Sequence, residues 1–138
     1  VYGYQITTFL VGEDVKDVNC QARYSHTGVD TTDHISMRAD DCLIDITATI
    51  ETKIDENLIV YGEKGKITLP HSQWANECIF ESIDGTKIIF SDNETQNGFV
   101  GEIQEVMKCV RDGKKESSVV PHSLTINCSK VLDMITQK

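Results

Sequence analysis

The 138-residue sequence contains no uninterrupted apolar stretch near the ~18 residues that span a bilayer, and its first ten residues carry no basic cluster. Neither a transmembrane segment nor a signal peptide is therefore predicted. Basic residues are also few: 13 Lys and Arg stand against 22 Asp and Glu, which gives a net charge of -9. This charge repels phosphate backbones and anionic lipids, so neither nucleic acid nor a membrane is an expected partner.

The patterns that hold metals and nucleotides are missing as well. The four histidines and five cysteines show no ligand spacing and no Cys-x-x-Cys pair, so no metal site is predicted. The cysteines are interpreted as reduced, buried thiols of a cytoplasmic protein. No G-x-G-x-x-G or G-x-x-x-x-G-K loop occurs, so this chain alone is not expected to bind NAD(P) or to turn over a substrate.

What the sequence does contain is typical of a globular domain. Hydrophobic residues make up 39%, and the 9 glycines raise the apolar share to about 45%, near the globular norm. A chain of this length buries roughly two thirds of its unfolded surface, so a sizeable core is possible. Because the chain begins at Val1, inside a predicted helix, we expect it to be a piece of a longer protein.

Helical periodicity occurs at both ends of the chain. The first predicted helix ends at Gly12 and has four apolar residues at helical spacing: Tyr2, Ile6, Phe9 and Leu10. A second helix is predicted from Phe99 to a stop at Gly113. A third follows Pro121, with Ser123 as its predicted cap.

Between these helices the apolar residues alternate with the period of a β-strand. One strand is predicted from Val18 to Tyr24, and three hairpins are predicted around Asp40-Asp41, Gly62 to Gly65 and Asp84-Gly85. One helix precedes the strands and two follow them, so the strands cannot all be joined by parallel βαβ crossovers. The predicted fold is α+β: a largely antiparallel (mixed) open sheet of six or more strands, with helices packed on one face, in a single domain over residues 1–138.

Several polar residues leave two interpretations open. Asp40-Asp41, and Asp30 with Asp33, are paired carboxylates that suit acid–base chemistry or calcium, although a turn is the preferred interpretation. His34 and Arg38 share the polar face of a strand, where they contact a substrate or a second subunit, or are simply solvated.

Four segments of the chain, in order, also resemble a known family. They are YGYQITTFLVG, GVDTTDHISMRADDCLIDITATIE, IVYGEKGKITLP and FVGEIQEVMKCVRDGKKESSVVPHSLTINCSKVLDMI. Together they resemble the C-terminal domain of the glucose-fructose oxidoreductase, inositol dehydrogenase and rhizopine-catabolism (Gfo/Idh/MocA) family, in its dihydrodiol dehydrogenase-like branch. The resemblance implies a two-domain oxidoreductase whose N-terminal Rossmann domain, absent from this chain, binds NAD or NADP. This domain would supply the substrate side and the oligomer surface, and the substrate would be a sugar, polyol or diol.

The resemblance also implies roles for individual residues. Aligned on the helix end at Gly12, Tyr2 occupies the position of the catalytic acid–base, and the alternative is that Tyr2 is only an apolar anchor of its helix. Independently of the resemblance, His122, beside Pro121 at a helix start, is a candidate substrate-binding residue, and the alternative is a capping or solvent-exposed side chain. The face carrying Arg23, His34 and Arg38 is expected to form a homo-oligomer. The competing hypothesis for the whole chain is a non-catalytic dimerisation or binding module.

Overall fold

The structure is a computed structural model that describes residues 1–95 and 97–136, and its elements follow the predicted order. The helices are α1 (Tyr2–Val11), α2 (Phe99–Arg111) and α3 (His122–Thr136). The strands are β1 (Val15–Tyr24), β2 (Asp30–Ala39), β3 (Cys42–Thr49), β4 (Leu58–Gly62), β5 (Gly65–Leu69), β6 (Glu77–Ser82) and β7 (Lys87–Ser91). One helix, seven strands and two helices confirm the predicted α+β class.

The strands form two antiparallel sheets, one of β1-β2-β3 and one of β4-β5-β6-β7. The prediction of six or more strands in one open sheet is therefore wrong. The break falls at residues 50–57, IETKIDEN, which separate β3 from β4. This polar, charged segment is longer than the turns of two to five residues that usually join paired strands.

The chain divides into two compact units at the same place. Unit 1 contains Val1–Lys53 and the C-terminal segment from Lys114, and unit 2 is Ile54–Gly113. Unit 1 therefore contains the three-stranded sheet with α1 and α3, and unit 2 contains the four-stranded sheet with α2. The expectation that residues 1–138 act together as one substrate-side domain stays a prediction.

The core of unit 1 lies on one face of its sheet, beneath α1 and α3. Its buried residues are Tyr4, Met37, Ala39, Ile44, Cys128 and Val131. Met37 is paired with Ile44, and Ala39 with Cys42, so the buried strand positions follow the predicted alternation. α1 lies close to β3 at Gly3, where a Cβ atom would stand 2.9 Å from Cγ2 of Ile46.

The buried side of α1 differs from the prediction. Tyr2, Phe9 and Leu10 are exposed, whereas Tyr4 and Thr8 are buried. The polar Thr8 is tolerated there because its hydroxyl donates to the Tyr4 carbonyl oxygen at 3.0 Å. A hydroxyl satisfied by its own helix costs little to bury, and hydropathy alone does not reveal it.

Turns and helix ends mostly follow the sequence signals. The Asp40-Asp41 turn joins β2 to β3, with Asp40 at φ +48, and Gly85 adopts φ +87 in the β6–β7 hairpin. Gly12 and Gly113 follow α1 and α2 with φ +95 and +66, as predicted. Ser123, however, does not cap α3.

The cysteine prediction holds only in part. None of the five cysteines forms a disulfide within the described residues, but only Cys128 is buried; Cys42 is exposed and the other three are half-buried. Cys42 is exposed at the start of β3, although it is paired with the buried Ala39. Within the described residues, no helix is long and apolar enough to cross a membrane.

Candidate functional site

Tyr2 lies in the first turn of α1, and its side chain is 68% exposed. Tyr4 and Thr8 point into the core from the opposite side of the same helix. Tyr2 therefore does not anchor α1 in the core of unit 1, and its catalytic role stays a prediction. The phenol stands outside the core, where its hydroxyl is accessible to a small molecule.

The surface around Tyr2 is otherwise apolar. Phe9 is two helical turns along and on the same side of α1, and it is 65% exposed. Val1 and Leu10 are exposed beside them. α1 thus has apolar residues on both its buried and its outer side, a pattern typical of a helix that is covered on both. The Tyr2 hydroxyl is a hydrogen-bonding group on this outer surface.

Tyr4, two residues away, is in the opposite environment. Its side chain is only 5% exposed, and its hydroxyl has no hydrogen-bond partner in the part of the chain that the structure describes. Burial raises the pKa of Tyr4, and the negative charges of a Cys128 thiolate and of Glu13 raise that pKa further. Sequence reasoning missed this residue, although Tyr4, Thr8 and Val11 also follow helical spacing.

A side-chain hydrogen bond joins the end of α1 to α3. Asn127 of α3 donates from Nδ2 to Oε2 of Glu13 at 2.8 Å, and the contact is partly buried. Glu13 follows the C-terminal residue of α1 by two positions, so this bond and the core beneath it fix the helix that presents Tyr2. The side-chain amide of Asn127, which is partly buried, thereby has a hydrogen-bond acceptor.

His122 is the first residue of α3, and its imidazole is exposed. Its backbone N–H donates to Oε2 of Glu116 at 2.8 Å, and Nδ1 lies 3.7 Å from the same oxygen, close enough for an ion pair when the ring is protonated. Glu116, rather than the predicted Ser123, therefore satisfies the start of α3. Neither a hydrogen bond nor an ion pair joins His122 to Tyr2 within the described residues.

The polar face of the three-stranded sheet is confirmed by the register. His34 stands opposite Thr47, with Nδ1 and Oγ1 3.2 Å apart, and Nε2 of His34 is 3.7 Å from Asp45. Arg38 donates to Asp17 at 2.9 Å. Arg23 likewise pairs with Glu51 at 3.1 Å. Arg38 with Asp17 and Arg23 with Glu51 are exposed ion pairs, and each contributes little to stability by itself.

The two aspartate pairs differ. Asp40-Asp41 forms a turn, as preferred, but Asp30 and Asp33 lie in β2, so the turn interpretation is wrong for them. Asp33 stands between Ala22 and Ala48 on the core side of the sheet, and its Oδ1 is buried with no partner among the described residues. Burial, then a hydrogen bond with Asp30 and its charge, raise the pKa of Asp33.

The described residues also bear on metal and dinucleotide binding. Across residues 1–95 and 97–136, no group of three or more His, Cys, Asp or Glu side chains is placed to hold a metal ion. All strand pairs of the described chain are antiparallel. A dinucleotide pyrophosphate usually rests where a parallel strand turns into a helix, so these residues do not fit that cofactor.

Comparisons with known proteins show a likeness in structure only. No family model matches the chain, and no curated protein matches it. A crystal structure of a dehydrogenase (MviM) from Clostridium difficile matches with a TM-score of 0.80 and 11% sequence identity, over 97% of this chain and 44% of that chain. At this identity the likeness shows the fold alone. The chain spans less than half the length of that dehydrogenase.

Proposed function

We propose that this chain is the substrate-side and oligomerisation domain of an NAD(P)-dependent oxidoreductase of the Gfo/Idh/MocA family, in its dihydrodiol dehydrogenase-like branch. The observation that carries this proposal is the match of 97% of the chain to the fold of a dehydrogenase, MviM. The four sequence segments that resemble the family support it independently. The substrate is a sugar, polyol or diol, and the protein is cytoplasmic.

The cofactor is held outside this chain, since the residues here do not fit a dinucleotide. Hydride exchange is the chemistry that a nicotinamide cofactor supplies, and it requires a matching proton movement on the substrate oxygen. In our proposal Tyr2 exchanges that proton through its phenol hydroxyl. The exposure of Tyr2 and the apolar surface beside it support this role, because an apolar wall excludes competing water when it is covered.

One further residue and one surface complete the proposal. His122 contacts the substrate from the start of α3, where Glu116 holds its backbone N–H. The face with Arg23, His34 and Arg38 packs against the same face of a second subunit, which would remove these polar groups from solvent as satisfied pairs.

The test uses the full-length protein that contains this domain. It is assayed by NAD(P)H absorbance against a panel of sugars, polyols and diols, and cofactor binding is measured by calorimetry. Turnover of at least one class is the expected result. Cofactor binding with no turnover, or no binding at all, would favour the alternative of a non-catalytic dimerisation or binding module.

Tyr2→Phe separates the catalytic role of Tyr2 from the rest of the proposal. It removes only the hydroxyl, so kcat should fall by roughly a hundredfold while the Kd for the cofactor and the folding stay unchanged. Tyr61→Phe is the matched control, because Tyr61 is also exposed but lies in β4 of the other sheet. A Tyr2→Phe enzyme with the wild-type kcat would show that Tyr2 is not the acid–base.

A further inference from the structure

Asn97 and Gly98 form an exposed asparagine-glycine pair just before α2. The other five asparagines precede larger residues, and they are Asn19, Asn57, Asn76, Asn93 and Asn127. Asparagine is a thermolabile residue, because its side-chain carboxamide can react with the backbone nitrogen of the residue that follows. Glycine has no Cβ atom, so it hinders that approach least. The pair is therefore the position in the sequence that favours this reaction most.

The surroundings of Gly98 leave room for the reaction. A Cβ atom built on this glycine would meet nothing within 4 Å. Within the part of the chain that the structure describes, the Gly98 N–H donates no hydrogen bond. The Gly98 nitrogen is therefore available as a nucleophile in the folded protein.

Two other glycines follow an acidic residue, and their nitrogens are engaged in turns. The pairs are Asp84-Gly85 and Asp112-Gly113. In the first pair the glycine N–H donates to the Ser82 carbonyl oxygen at 3.0 Å. In the second it donates to the Val110 carbonyl oxygen at 3.2 Å. Folding thus restrains these two nitrogens by a hydrogen bond, in contrast to that of Gly98.

The Asn97 side chain is held beside the Gly98 peptide. Its Oδ1 accepts a hydrogen bond from the Phe99 N–H at 2.9 Å, and Phe99 is the residue directly after Gly98. Addition of a nucleophile to the Asn97 Cγ places negative charge on this same oxygen. A donor that already points at the oxygen stabilises that charge. The start of α2 therefore favours the reaction, as the sequence does.

We propose that Asn97 is a site of spontaneous modification, in which the Gly98 backbone nitrogen displaces ammonia from the Asn97 side chain. The nitrogen loses its proton to solvent and bonds to Cγ, the bond from Cγ to Nδ2 breaks, and Nδ2 leaves as ammonia. The product is a five-membered succinimide ring. Water then opens the ring: cleavage of the new bond at Cγ gives aspartate, and cleavage at the former backbone carbonyl carbon gives isoaspartate. The net reaction consumes one water and releases one ammonia, and it does not depend on the proposed function.

The two products differ in their effect on the start of α2. Each adds one negative charge to the net charge of -9. Aspartate keeps an oxygen that can accept from the Phe99 N–H, and its charge is favourable at a helix N-terminus. Isoaspartate instead converts the backbone carbonyl of Asn97, which accepts from the Val100 N–H at 3.1 Å, into a free carboxylate and lengthens the backbone by one carbon. The isoaspartate product therefore disrupts the first turn, and the aspartate product preserves it.

The test is a time course of the full chain in mildly alkaline buffer, followed by peptide mapping with mass spectrometry. Loss of the Asn97 amide should be about tenfold or more faster than loss of the Asn93 amide, which is exposed in the same loop but precedes Glu94. The rate should rise with pH, because the Gly98 nitrogen reacts without its proton. Gly98→Ala should slow the reaction about tenfold or more. Gly101→Ala is the matched control, since that glycine also has open space around it, and it should react like the wild type.

Unfolding in urea separates the effect of the structure from that of the sequence. Isoaspartate formation at Asp84-Gly85 and Asp112-Gly113 should increase about tenfold or more in urea, because unfolding releases the two glycine N–H groups from their turns. At Asn97 the increase should stay below about threefold, since the folded loop already allows the reaction.

Three outcomes would overturn the proposal. An Asn97 amide as durable as that of Asn93 would mean that the pair is not a reactive site. A Gly98→Ala chain that reacts at the wild-type rate would mean that the backbone nitrogen is not the nucleophile. An increase at Asn97 in urea as large as that at the two aspartates would mean that the folded loop protects Asn97. The wild-type time course decides the first question even if a variant fails to fold.

Discussion

Replacing Tyr4 by Phe should make the protein more stable, although most substitutions in a core reduce stability. The Tyr4 ring is part of the core of unit 1, and Phe keeps that ring. The hydroxyl is buried and has no partner among the residues that the structure describes, so folding removes it from water without a compensating hydrogen bond. Tyr4→Phe removes that cost.

The size of the gain follows from the cost of an unsatisfied buried polar group, about 1–3 kcal/mol. The small void left by the oxygen offsets part of it, so we expect a gain of about 1–2 kcal/mol in the free energy of unfolding. For a chain of this size the melting temperature should rise by roughly 3–8 °C. Tyr2→Phe is the matched control on the same helix, and it should change stability by less than about 0.5 kcal/mol because that ring is exposed.

The assay is urea denaturation followed by circular dichroism, at pH 7 and again above pH 10. Because the folded state raises the pKa of Tyr4, the wild type loses stability as the pH rises from the ordinary value of 10.0 through the folded pKa. The advantage of Tyr4→Phe should therefore grow at alkaline pH. A loss of more than about 1 kcal/mol at pH 7 would refute the reasoning, since it would mean that the hydroxyl is hydrogen-bonded in the folded protein.

The remaining predictions concern the two sheets. Asp33→Asn should raise stability at pH 7. Because the folded state raises the pKa of Asp33, the wild type is most stable below the ordinary value of 3.8 and loses stability as the pH rises through the folded pKa. Denaturation between pH 3 and 8 should show a smaller loss of stability with pH in the variant than in the wild type. Gly65→Ala should cost several kcal/mol, because Gly65 has φ +151 and a Cβ there would lie 2.3 Å from the Glu81 carbonyl oxygen; Gly98→Ala, with open space around it, is the thermal-melt control. Met37→Ala should lower the free energy of unfolding by about 2–5 kcal/mol, and a loss below 1 kcal/mol would mean that the site is not packed as described.

Local signals predicted the elements of this fold well, because each depends on neighbouring residues. Asp84-Gly85 predicts a hairpin from backbone conformation alone, and Gly12 predicts a helix end in the same way. The division into two sheets depends on which strands pair, and the polar segment 50–57 indicates a break without indicating that β3 and β4 remain unpaired. Pairing between distant strands is decided by tertiary packing.

The candidate site shows a similar limit. Periodicity placed Tyr2 on the core side of α1, and only the resemblance gave it a catalytic role. In the structure the core side carries Tyr4 and Thr8 instead, since Gly3 lets the helix approach Ile46 closely and Thr8 satisfies its own hydroxyl. These effects depend on helix–sheet distance and hydrogen bonding, which apolar spacing does not encode.

The arrangement of the two units in sequence has a consequence for folding during synthesis. Within each sheet, every strand pairs with the next along the chain, so the closed loops are short and sheet formation should be fast for a β-rich protein. Unit 2 is continuous in sequence, and all of it is synthesised before α3. Unit 1 begins first and is completed last, because its core requires Cys128 and Val131. Its open sheet must therefore wait through the synthesis of about sixty intervening residues, the interval in which a nascent chain is most exposed to misassembly and chaperone binding.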